Sequence, residues 1–206
     1  RDWSETSDNW IKDYTLSINH PHRELVKEAI YFIDNFASVL EVGCNSGPNL
    51  QILQGSNSAG KFAGIDLNEE AIKEAKINSH NIEFKIGSVL NIPFPDKTFD
   101  VILSDAVFMY IDPNQIEKAM SEIDRVAKKG LIFIEWIDDS KNGIIKDYHW
   151  ARNYTHWLHE LKFNDKILIK KITKDLWPSK NWYTNGFLFA GFRQVSPILE
   201  KNFFNA

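Results

Sequence analysis

The stretch VLEVGCNSGPNL, residues Val39–Leu50, decides the fold. It opens as a short apolar run typical of a buried strand, interrupted by Glu41, and continues into a small polar loop. Gly43 and Gly47 can adopt positive φ and leave room for a ligand against the backbone, and Asn45 is the non-glycine type that best tolerates that conformation. The spacing G-x-x-x-G departs from the G-x-G-x-x-G fingerprint that binds a pyrophosphate, which Glu41 would also repel. The loop therefore predicts a small, positively charged ligand.

A second acid narrows the kind of ligand. Asp66 ends the next predicted strand, FAGID. In an open α/β sheet, ligands bind beyond the carboxyl ends of the strands, where such an acid can accept hydrogen bonds from both hydroxyls of a ribose. Capping of the helix that begins at NEEA is the alternative role for Asp66. Together, the loop and this acid indicate a nucleoside that carries a positively charged group.

The rest of the chain alternates between strands and helices. Five apolar runs are predicted to be strands, with helices between them: SVLEV, KFAGID, IEFKIG, FDVILSD and GLIFIEW. This order implies right-handed crossovers and a parallel sheet covered on both faces. Two late strands, KILIKKIT and NGFLFAGFRQV, lack a clear helix between them and favour an antiparallel pair at the sheet edge. The segment DYHWARNYTHWLHELKF, which precedes them, is predicted to be one amphipathic helix.

Composition limits the class of protein. The 206 residues suffice for one domain, and 43% hydrophobic with 25% charged residues is the balance of a globular protein with a core. No window approaches 18 uninterrupted apolar residues, so we expect no membrane span, and the polar start RDWSETSDNW does not resemble a signal peptide. Cys44 is the only cysteine, which excludes an internal disulfide, argues against a metal site and fits a cytoplasmic location. A formal net charge of −4 argues against nucleic acid as a partner.

Three segments together resemble the class I S-adenosylmethionine-dependent methyltransferases. They are VLEVGCNSG, GIDLNEEAI and IGSVLNIPFPDKTFDVILSDAVFMYI, in the family's order and spacing between Ser38 and Trp136. The resemblance implies a Rossmann-like fold, with a mostly parallel seven-stranded sheet, an antiparallel last strand and helices on both faces. It implies S-adenosyl-L-methionine as cofactor and S-adenosyl-L-homocysteine as product. Within a single domain, residues 1–36 would form a helical lid, 37–136 the cofactor-binding core, and 137–206 an acceptor-side helix and the terminal strands.

The resemblance also implies the cofactor contacts. Residues after the first strand would shape the site of the methionine part, Asp66 would bind the ribose, and the end of the fourth strand would line the sulfonium side. Leu67 and Ser88–Val89 would flank the adenine. Asn45 stands where the family most often has a glycine, and Ser88 where an acid commonly meets the adenine amino group. The full set is Glu41, Gly43, Cys44, Asn45, Gly47, Asn49, Asp66, Leu67, Ser88, Val89, Ser104, Asp105 and Ala106.

Residues for the methyl acceptor are expected at the same edge of the sheet. Methyl transfer is an in-line displacement, so a general base is needed only if the acceptor must lose a proton. Asp105 is the leading candidate, with a contact to the cofactor's amino group or a turn cap as its alternatives. The predicted catalytic residues are Asp105, Tyr110 and His156, and the predicted substrate-binding residues are Trp10, Tyr14, Tyr110, Glu135, Trp136, His149 and Arg152. Arg152 and a histidine of the predicted helix would bind a carboxylate or phosphate on the acceptor, or would lie on a solvated face.

The sequence thus favours a methyltransferase that acts on an oxygen or nitrogen of a small-molecule acceptor, as a monomer or homodimer without nucleic-acid or membrane partners. Two other classes stay open. One is an NAD(P)-type nucleotide-dependent oxidoreductase, against which Glu41 and the missing third glycine count. The other is a non-catalytic cofactor-binding or scaffold protein, for which the departures at Asn45 and Ser88 leave room.

Overall fold

A seven-stranded sheet forms the centre of the molecule. The computed structural model describes residues 8–33, 36–140, 143–146 and 149–193, without the side chains of residues 8–10 and 145–146. The strands of the sheet are β1 (Ser38–Val42), β2 (Lys61–Asp66), β3 (Glu83–Ile86), β4 (Phe99–Asp105), β5 (Ala127–Trp136), β8 (Lys166–Lys171) and β9 (Gly186–Phe192). Two short strands, β6 (Ile144–Lys146) and β7 (His149–Ala151), form a separate antiparallel hairpin.

The strand order explains where a ligand can bind. The order is β3-β2-β1-β4-β5-β9-β8, so the chain runs outward from β1 in one direction and then returns to β4 on its other side. β1 pairs in parallel with both β2 and β4. The carboxyl ends of β1 and β4 therefore flank the crevice at the topological switch point, where open α/β sheets bind ligands.

Helices cover the sheet on both faces. They are α1 (Asp8–Leu16), α2 (Arg23–Phe32), α3 (Pro48–Ser56), α4 (Glu69–Asn78), α5 (Ile116–Val126), α6 (Tyr154–Glu160) and α7 (Lys180–Asn185). One hydrophobic cluster joins the sheet to α2, α3 and α4, and a second joins its other side to α5 and α6. Every residue of β1 and β4 is buried, as expected for strands covered on both faces. No helix in the described ranges has the length and apolar character that a bilayer crossing requires.

The predicted fold class is confirmed, including the antiparallel last strand. β9 runs antiparallel to β5 on one side and to β8 on the other. α7 lies between these late strands, where the sequence showed no clear helix.

The single amphipathic helix predicted for residues 147–163 is wrong. Residues 149–151 pair as a strand with Ile144–Lys146, and within the described residues 149–163 only Tyr154–Glu160 form an α-helix. The helix begins where it does because Asn153 has an extended backbone and its side chain accepts a hydrogen bond from the His156 N–H at 2.9 Å. The apolar residues whose spacing suggests one helix belong to two elements: Trp150 lies on β7, whereas Tyr154, Trp157 and Leu158 are buried residues of α6.

Candidate functional site

The loop after β1 adopts the conformation that its composition predicts. Gly43, Asn45 and Gly47 have φ values of 67°, 48° and 78°. A Cβ on Gly43 would lie 2.3 Å from Cγ2 of Val107, and a Cβ on Gly47 would lie 2.7 Å from Cζ of Phe84. Both glycines are therefore required by backbone conformation and by close packing, while Asn45 tolerates the left-handed region as an asparagine can.

A cavity of about 330 Å³ opens at the carboxyl ends of the strands, above this loop. Ten of the predicted site residues line it: Tyr14, Gly43, Asn45, Asp66, Leu67, Ser88, Val89, Asp105, Ala106 and Tyr110. The sequence missed six lining residues: Asn68, Gly87, Leu90, Val107, Ile111 and Gln115. All of these except Gln115 are sequence neighbours of a predicted site residue, and this adjacency is the one feature of the sequence that could have identified them.

Asp66 holds the loop at the cavity wall. Its Oδ2 accepts a hydrogen bond from the Asn45 N–H at 2.9 Å, and its Oδ1 accepts one from the Asn68 N–H at 2.9 Å. Burial raises the pKa of Asp66 above its ordinary value, although these backbone hydrogen bonds oppose the rise. The cap of α4 is Asn68, whose side chain accepts from the Ala71 N–H at 2.9 Å. Helix capping therefore does not account for Asp66.

A buried polar cluster lies behind the cavity, where α2 meets the ends of β1 and β4. Nδ2 of Asn49 donates to Glu41 Oε1 at 2.7 Å and to Asp105 Oδ2 at 3.0 Å. Nε2 of His22 lies 3.0 Å from the same Asp105 oxygen. Nη1 of Arg23 donates to Asn49 Oδ1 at 2.6 Å and lies 3.9 Å from Asp105 Oδ2. Two carboxyl groups thus share one amide and two basic side chains, all of them buried.

The two carboxyl groups of this cluster differ in protonation. Burial raises the pKa of Glu41 to about 8, which its hydrogen bond with Asn49 only partly offsets. Burial also opposes ionisation of Asp105, but His22, Arg23 and Asn49 together hold the pKa of Asp105 below its ordinary value. Within the described residues, Oε2 of Glu41 and Oδ1 of Asp105 are buried without a hydrogen-bond partner. Glu41 lies beneath the loop, whereas Asp105 reaches the cavity wall.

The raised pKa of Glu41 predicts a pH-dependent stability. A carboxyl group that ionises at 4.5 when unfolded and at about 8 when folded stabilises the protein below pH 4.5, and this contribution is lost as pH rises to 8. Glu41→Gln removes the titration. Wild type loses this contribution as pH rises, and the variant does not. We therefore expect the free energy of unfolding of the variant minus that of wild type to increase by on the order of 4 kcal/mol between pH 5 and pH 8. Urea unfolding of both proteins at the two pH values measures this, with Glu74→Gln as a partly exposed control. If the free energies of unfolding of Glu41→Gln and wild type differed by the same amount at both pH values, the raised pKa of Glu41 would be contradicted.

The N-terminal helices contribute directly to the site. Tyr14 of α1 lines the cavity, with its ring 5.1 Å from the Arg23 guanidinium carbon. Burial and the nearby Asp105 carboxylate raise the pKa of Tyr14. The side chain of Trp10 lies outside the described residues, so its predicted substrate contact stays a prediction. Tyr110 follows β4 at the cavity wall, 38% exposed, with its ring 4.9 Å from that of His149.

Glu135 does not reach the cavity. Its Oε1 accepts from the N–H groups of Val107 and Phe108, both at 2.8 Å, and its Oε2 accepts from the Met109 N–H at 3.1 Å. Ser104, predicted to line the sulfonium side, points its hydroxyl at the same carboxylate, 3.3 Å away. The structure therefore corrects the predicted substrate contact of Glu135: it caps the 3-10 turn Phe108–Tyr110, which positions Tyr110.

Loss of this cap should destabilise the protein. In Glu135→Gln the amide nitrogen faces one of the three backbone N–H donors. We expect the free energy of unfolding to fall by about 2 kcal/mol, the value of a lost hydrogen bond to a charged group. Burial raises the pKa of Glu135 to about 7, so urea unfolding should be compared at pH 8, where the carboxylate is ionised. Glu69→Gln is the control because the pair of Glu69 with Lys73 is exposed. A loss no larger than that of the control would contradict the capping role.

Arg152 and His156 do not form an anion-binding site. Arg152 is fully buried and donates to the carbonyl oxygens of Phe108 and Ile111, so it closes the carboxyl end of the turn that Glu135 caps at its start. His156 stands on α6, with Nε2 2.8 Å from Glu160 Oε2. Neither lines the cavity. The sequence misled here because the helix that would have aligned them begins only after Arg152.

Three further predicted residues, Cys44, Trp136 and His149, lie near the site without lining the cavity. Cys44 is fully buried, and burial raises the pKa of its thiol well above the ordinary value. Trp136 is 2% exposed, with its ring 4.9 Å from that of His149. Neither Trp136 nor His149 is among the described residues of the cavity wall. Trp136 belongs to the core, and His149 joins it to Tyr110 at the rim.

Sequence reasoning missed His22 and Arg23 altogether. They occupy the start of α2, and His22 is 83 positions from its partner Asp105. The only signal in the sequence is that PHRE places two basic side chains at a helix start, where basic residues are electrostatically unfavourable. Such a placement indicates an acidic partner outside the helix, but it does not identify that partner.

Known proteins share this architecture. Residues 40–134 match the family model described as a methyltransferase domain. The sequence is 33% identical over 100 residues to a fatty-acid O-methyltransferase of Mycolicibacterium smegmatis, covering 47% of this chain and 35% of that one. It is 27% identical over 191 residues to the ubiquinone/menaquinone biosynthesis C-methyltransferase UbiE of Rickettsia rickettsii, covering 84% and 76%.

The solved structures agree on the fold. A SAM-dependent methyltransferase from Methanosarcina mazei matches with a TM-score of 0.61 at 18% identity, covering 81% of this chain and 96% of that one. The chain spans between 35% and 59% of the length of the first three curated relatives that it matches. S-adenosyl-L-methionine is the cofactor of this family, as expected from the sequence. The matched segment is thus similar to the methyltransferase-domain family, and the sheet has the fold of solved class I S-adenosylmethionine-dependent methyltransferases.

Proposed function

We propose that this protein transfers the methyl group of S-adenosyl-L-methionine to an oxygen or nitrogen atom of a small-molecule acceptor. One observation carries the proposal. Asp105 lines the cavity with Oδ2 held by His22 and Asn49, while its Oδ1 has no hydrogen-bond partner among the described residues. Buried polar atoms almost always have a partner, so this oxygen is suited to a bound molecule.

The residues of the cavity fit the cofactor. Asp66 and Asp105 are acidic, and no lysine, arginine or histidine among the described residues lines the wall, which suits a sulfonium cation. Gly43 leaves a space against Val107 that a Cβ would fill. In this proposal Asp66 accepts hydrogen bonds from the ribose hydroxyls, Leu67 and Val89 flank the adenine, and the backbone from Gly43 to Asn45 faces the methionine part. The lid formed by α1 and α2 contributes Tyr14 and excludes water.

Asp105 acts as the general base. When bound, the cofactor supplies a methyl group whose bond to a positively charged sulfur breaks as the acceptor's bond to carbon forms. Asp105 receives the proton that the acceptor's oxygen or nitrogen loses, and releases it to solvent after the product leaves. His22 and Arg23 favour the ionised form of Asp105 before the reaction. A base at this place suits a hydroxyl or a protonated amine, because each must lose a proton to expose the lone pair that attacks the methyl group.

The charges of the wall limit the acceptor to a neutral or cationic molecule. The sequence analysis expected Arg152 to bind an acceptor carboxylate or phosphate, but Arg152 is committed to backbone carbonyls. The described wall offers instead the hydroxyl-bearing Tyr14 and Tyr110 and apolar side chains such as Leu90 and Ile111. An alcohol, phenol or amine on an apolar frame matches this lining better than an anion does.

A methyl-transfer screen tests the proposal. Purified protein is incubated with S-adenosyl-L-methionine labelled in its methyl group and with four acceptor groups: phenols and alcohols, amines, carboxylates, and phosphates. We expect labelled product from the first two groups and none from the last two. Transfer only to carboxylates or phosphates would overturn the acceptor class. Transfer only to carbon would overturn the role of Asp105 as a base for oxygen or nitrogen.

A further inference from the structure

His22 lies between the proposed base and an aromatic stack. Its Nε2 is 3.0 Å from Asp105 Oδ2, and its ring centroid is 4.1 Å from that of Trp177, with a 34° angle between the planes. Trp177 in turn stacks on Trp182 at 3.9 Å and 8°. His22 is 3% exposed, so it is fixed by these contacts rather than by solvent.

The hydrogen bonds of His20 and His22 determine where the protons are. Nδ1 of His20 lies 3.4 Å from the His22 backbone nitrogen and is placed to accept a hydrogen bond from it. The proton in the 2.6 Å contact between the two Nδ1 atoms therefore belongs to His22. Nε2 of His22 faces an Asp105 oxygen that already accepts from Asn49, so Nε2 is also a donor. Both ring nitrogens of His22 are thus placed as donors, an arrangement that suits an imidazolium cation, and the Trp177 face adjoining the ring favours that charge.

We infer that His22 is the positioning residue that keeps Asp105 ionised and leaves Asp105 Oδ1 free for the acceptor. The inference rests on the proposed role of Asp105 as base and adds how that role is sustained in a buried site. The lid helix α2 would therefore complete the reaction centre with a charge, in addition to excluding water. His22 itself has no contact with the cavity.

The surrounding charges agree with this assignment. Burial and the charges of His22 and Arg23 lower the pKa of His20, which keeps His20 neutral as an acceptor. Arg23 supports the same carboxylate from 3.9 Å. Burial opposes ionisation of Asp105. The nearby Glu41 has a pKa raised to about 8, so it is largely neutral at pH 7. The titratable or charged groups that face the His22–Asp105 pair are Tyr14, His20, Arg23, Glu41 and Glu135.

The test is the titration of the Asp105 carboxyl carbon, followed by NMR in protein labelled with carbon-13 at aspartate. His22→Gln can still donate a hydrogen bond to Asp105 but carries no charge, so burial acts with less opposition. We expect Asp105 to titrate at least about one pH unit higher in this variant than in wild type, equivalent to a tenfold loss of the ionised form at low pH. The control, His159→Gln, removes an exposed histidine of α6 and should leave the titration unchanged. An unchanged Asp105 titration in folded His22→Gln would overturn the inference.

A second measurement needs no variant. Nitrogen-15 NMR of wild-type protein labelled at histidine reports the protonation of each ring nitrogen. We expect both nitrogens of His22 to carry a proton at pH 7, and a neutral His22 with one N–H would overturn the inference even if the variant does not fold. Both measurements are independent of methyl transfer. If the acceptor screen gave no product but His22 were an imidazolium, the proposed function would be contradicted. If the screen gave product but His22 were neutral, only the inference about His22 would be contradicted.

Discussion

Asp105→Asn should lower kcat by between roughly 100-fold and 10,000-fold, the contribution of a positioned general base. The dissociation constant for S-adenosyl-L-homocysteine should change by less than about threefold, because in our account Asp105 serves the acceptor. The amide keeps the size of the side chain but cannot take the acceptor's proton. Calorimetry with the product and steady-state kinetics with an acceptor from the screen separate binding from chemistry.

The control for this variant lies on the same strand. Asp100→Asn makes the same substitution at a buried aspartate near the other end of β4, where Asp100 accepts a hydrogen bond from the Ala37 N–H. We expect its kcat to stay near wild type. If Asp105→Asn instead weakened binding of the product about 100-fold with little change in kcat, Asp105 would be a contact for the cofactor's amino group, the alternative that its sequence position left open.

Gly43→Val should abolish cofactor binding, with an affinity at least about 100-fold lower than wild type. The valine side chain would begin 2.3 Å from Val107 Cγ2 and would require a φ of +67°, which β-branched residues avoid. The loop must then move, and it forms part of the cavity wall. Calorimetric titration with S-adenosyl-L-methionine measures the loss.

Two comparisons make the result for Gly43→Val interpretable. Gly55→Val places the same side chain at a glycine of α3 whose Cβ would have open space around it, and it should bind the cofactor as wild type does. Circular dichroism of each variant checks that the fold is retained. Folded Gly43→Val with wild-type affinity would show that the loop after β1 is not part of the cofactor site.

The parts of the fold that the sequence predicts well are those with local causes. β1, β2 and β4 are largely apolar segments that end at or just before an acid or a glycine, and their boundaries agree with the predicted segments. Because carboxyl ends of parallel strands meet at one edge, Asp66 and Asp105 could be placed at the cavity from topology alone. The left-handed Asn45 also follows from residue type.

The errors came from interactions between distant elements. Glu135 at the end of an apolar strand suggested a substrate contact, but the three N–H groups it accepts from belong to a turn about 27 residues earlier in the chain. Arg152 likewise serves carbonyls of that turn. His22 and Arg23 become part of the site only because the start of α2 lies against Asp105 of β4 and Asn49 of α3, which no spacing within the sequence reveals.

The most direct test of the central claim is a calorimetric titration of the wild-type protein with S-adenosyl-L-methionine and, separately, with nicotinamide dinucleotides. The account predicts one site with a dissociation constant in the micromolar range for S-adenosyl-L-methionine, about −8 kcal/mol, and no heat of binding for the dinucleotides. Tight binding of a nicotinamide dinucleotide with no binding of S-adenosyl-L-methionine would contradict it and would favour the oxidoreductase alternative.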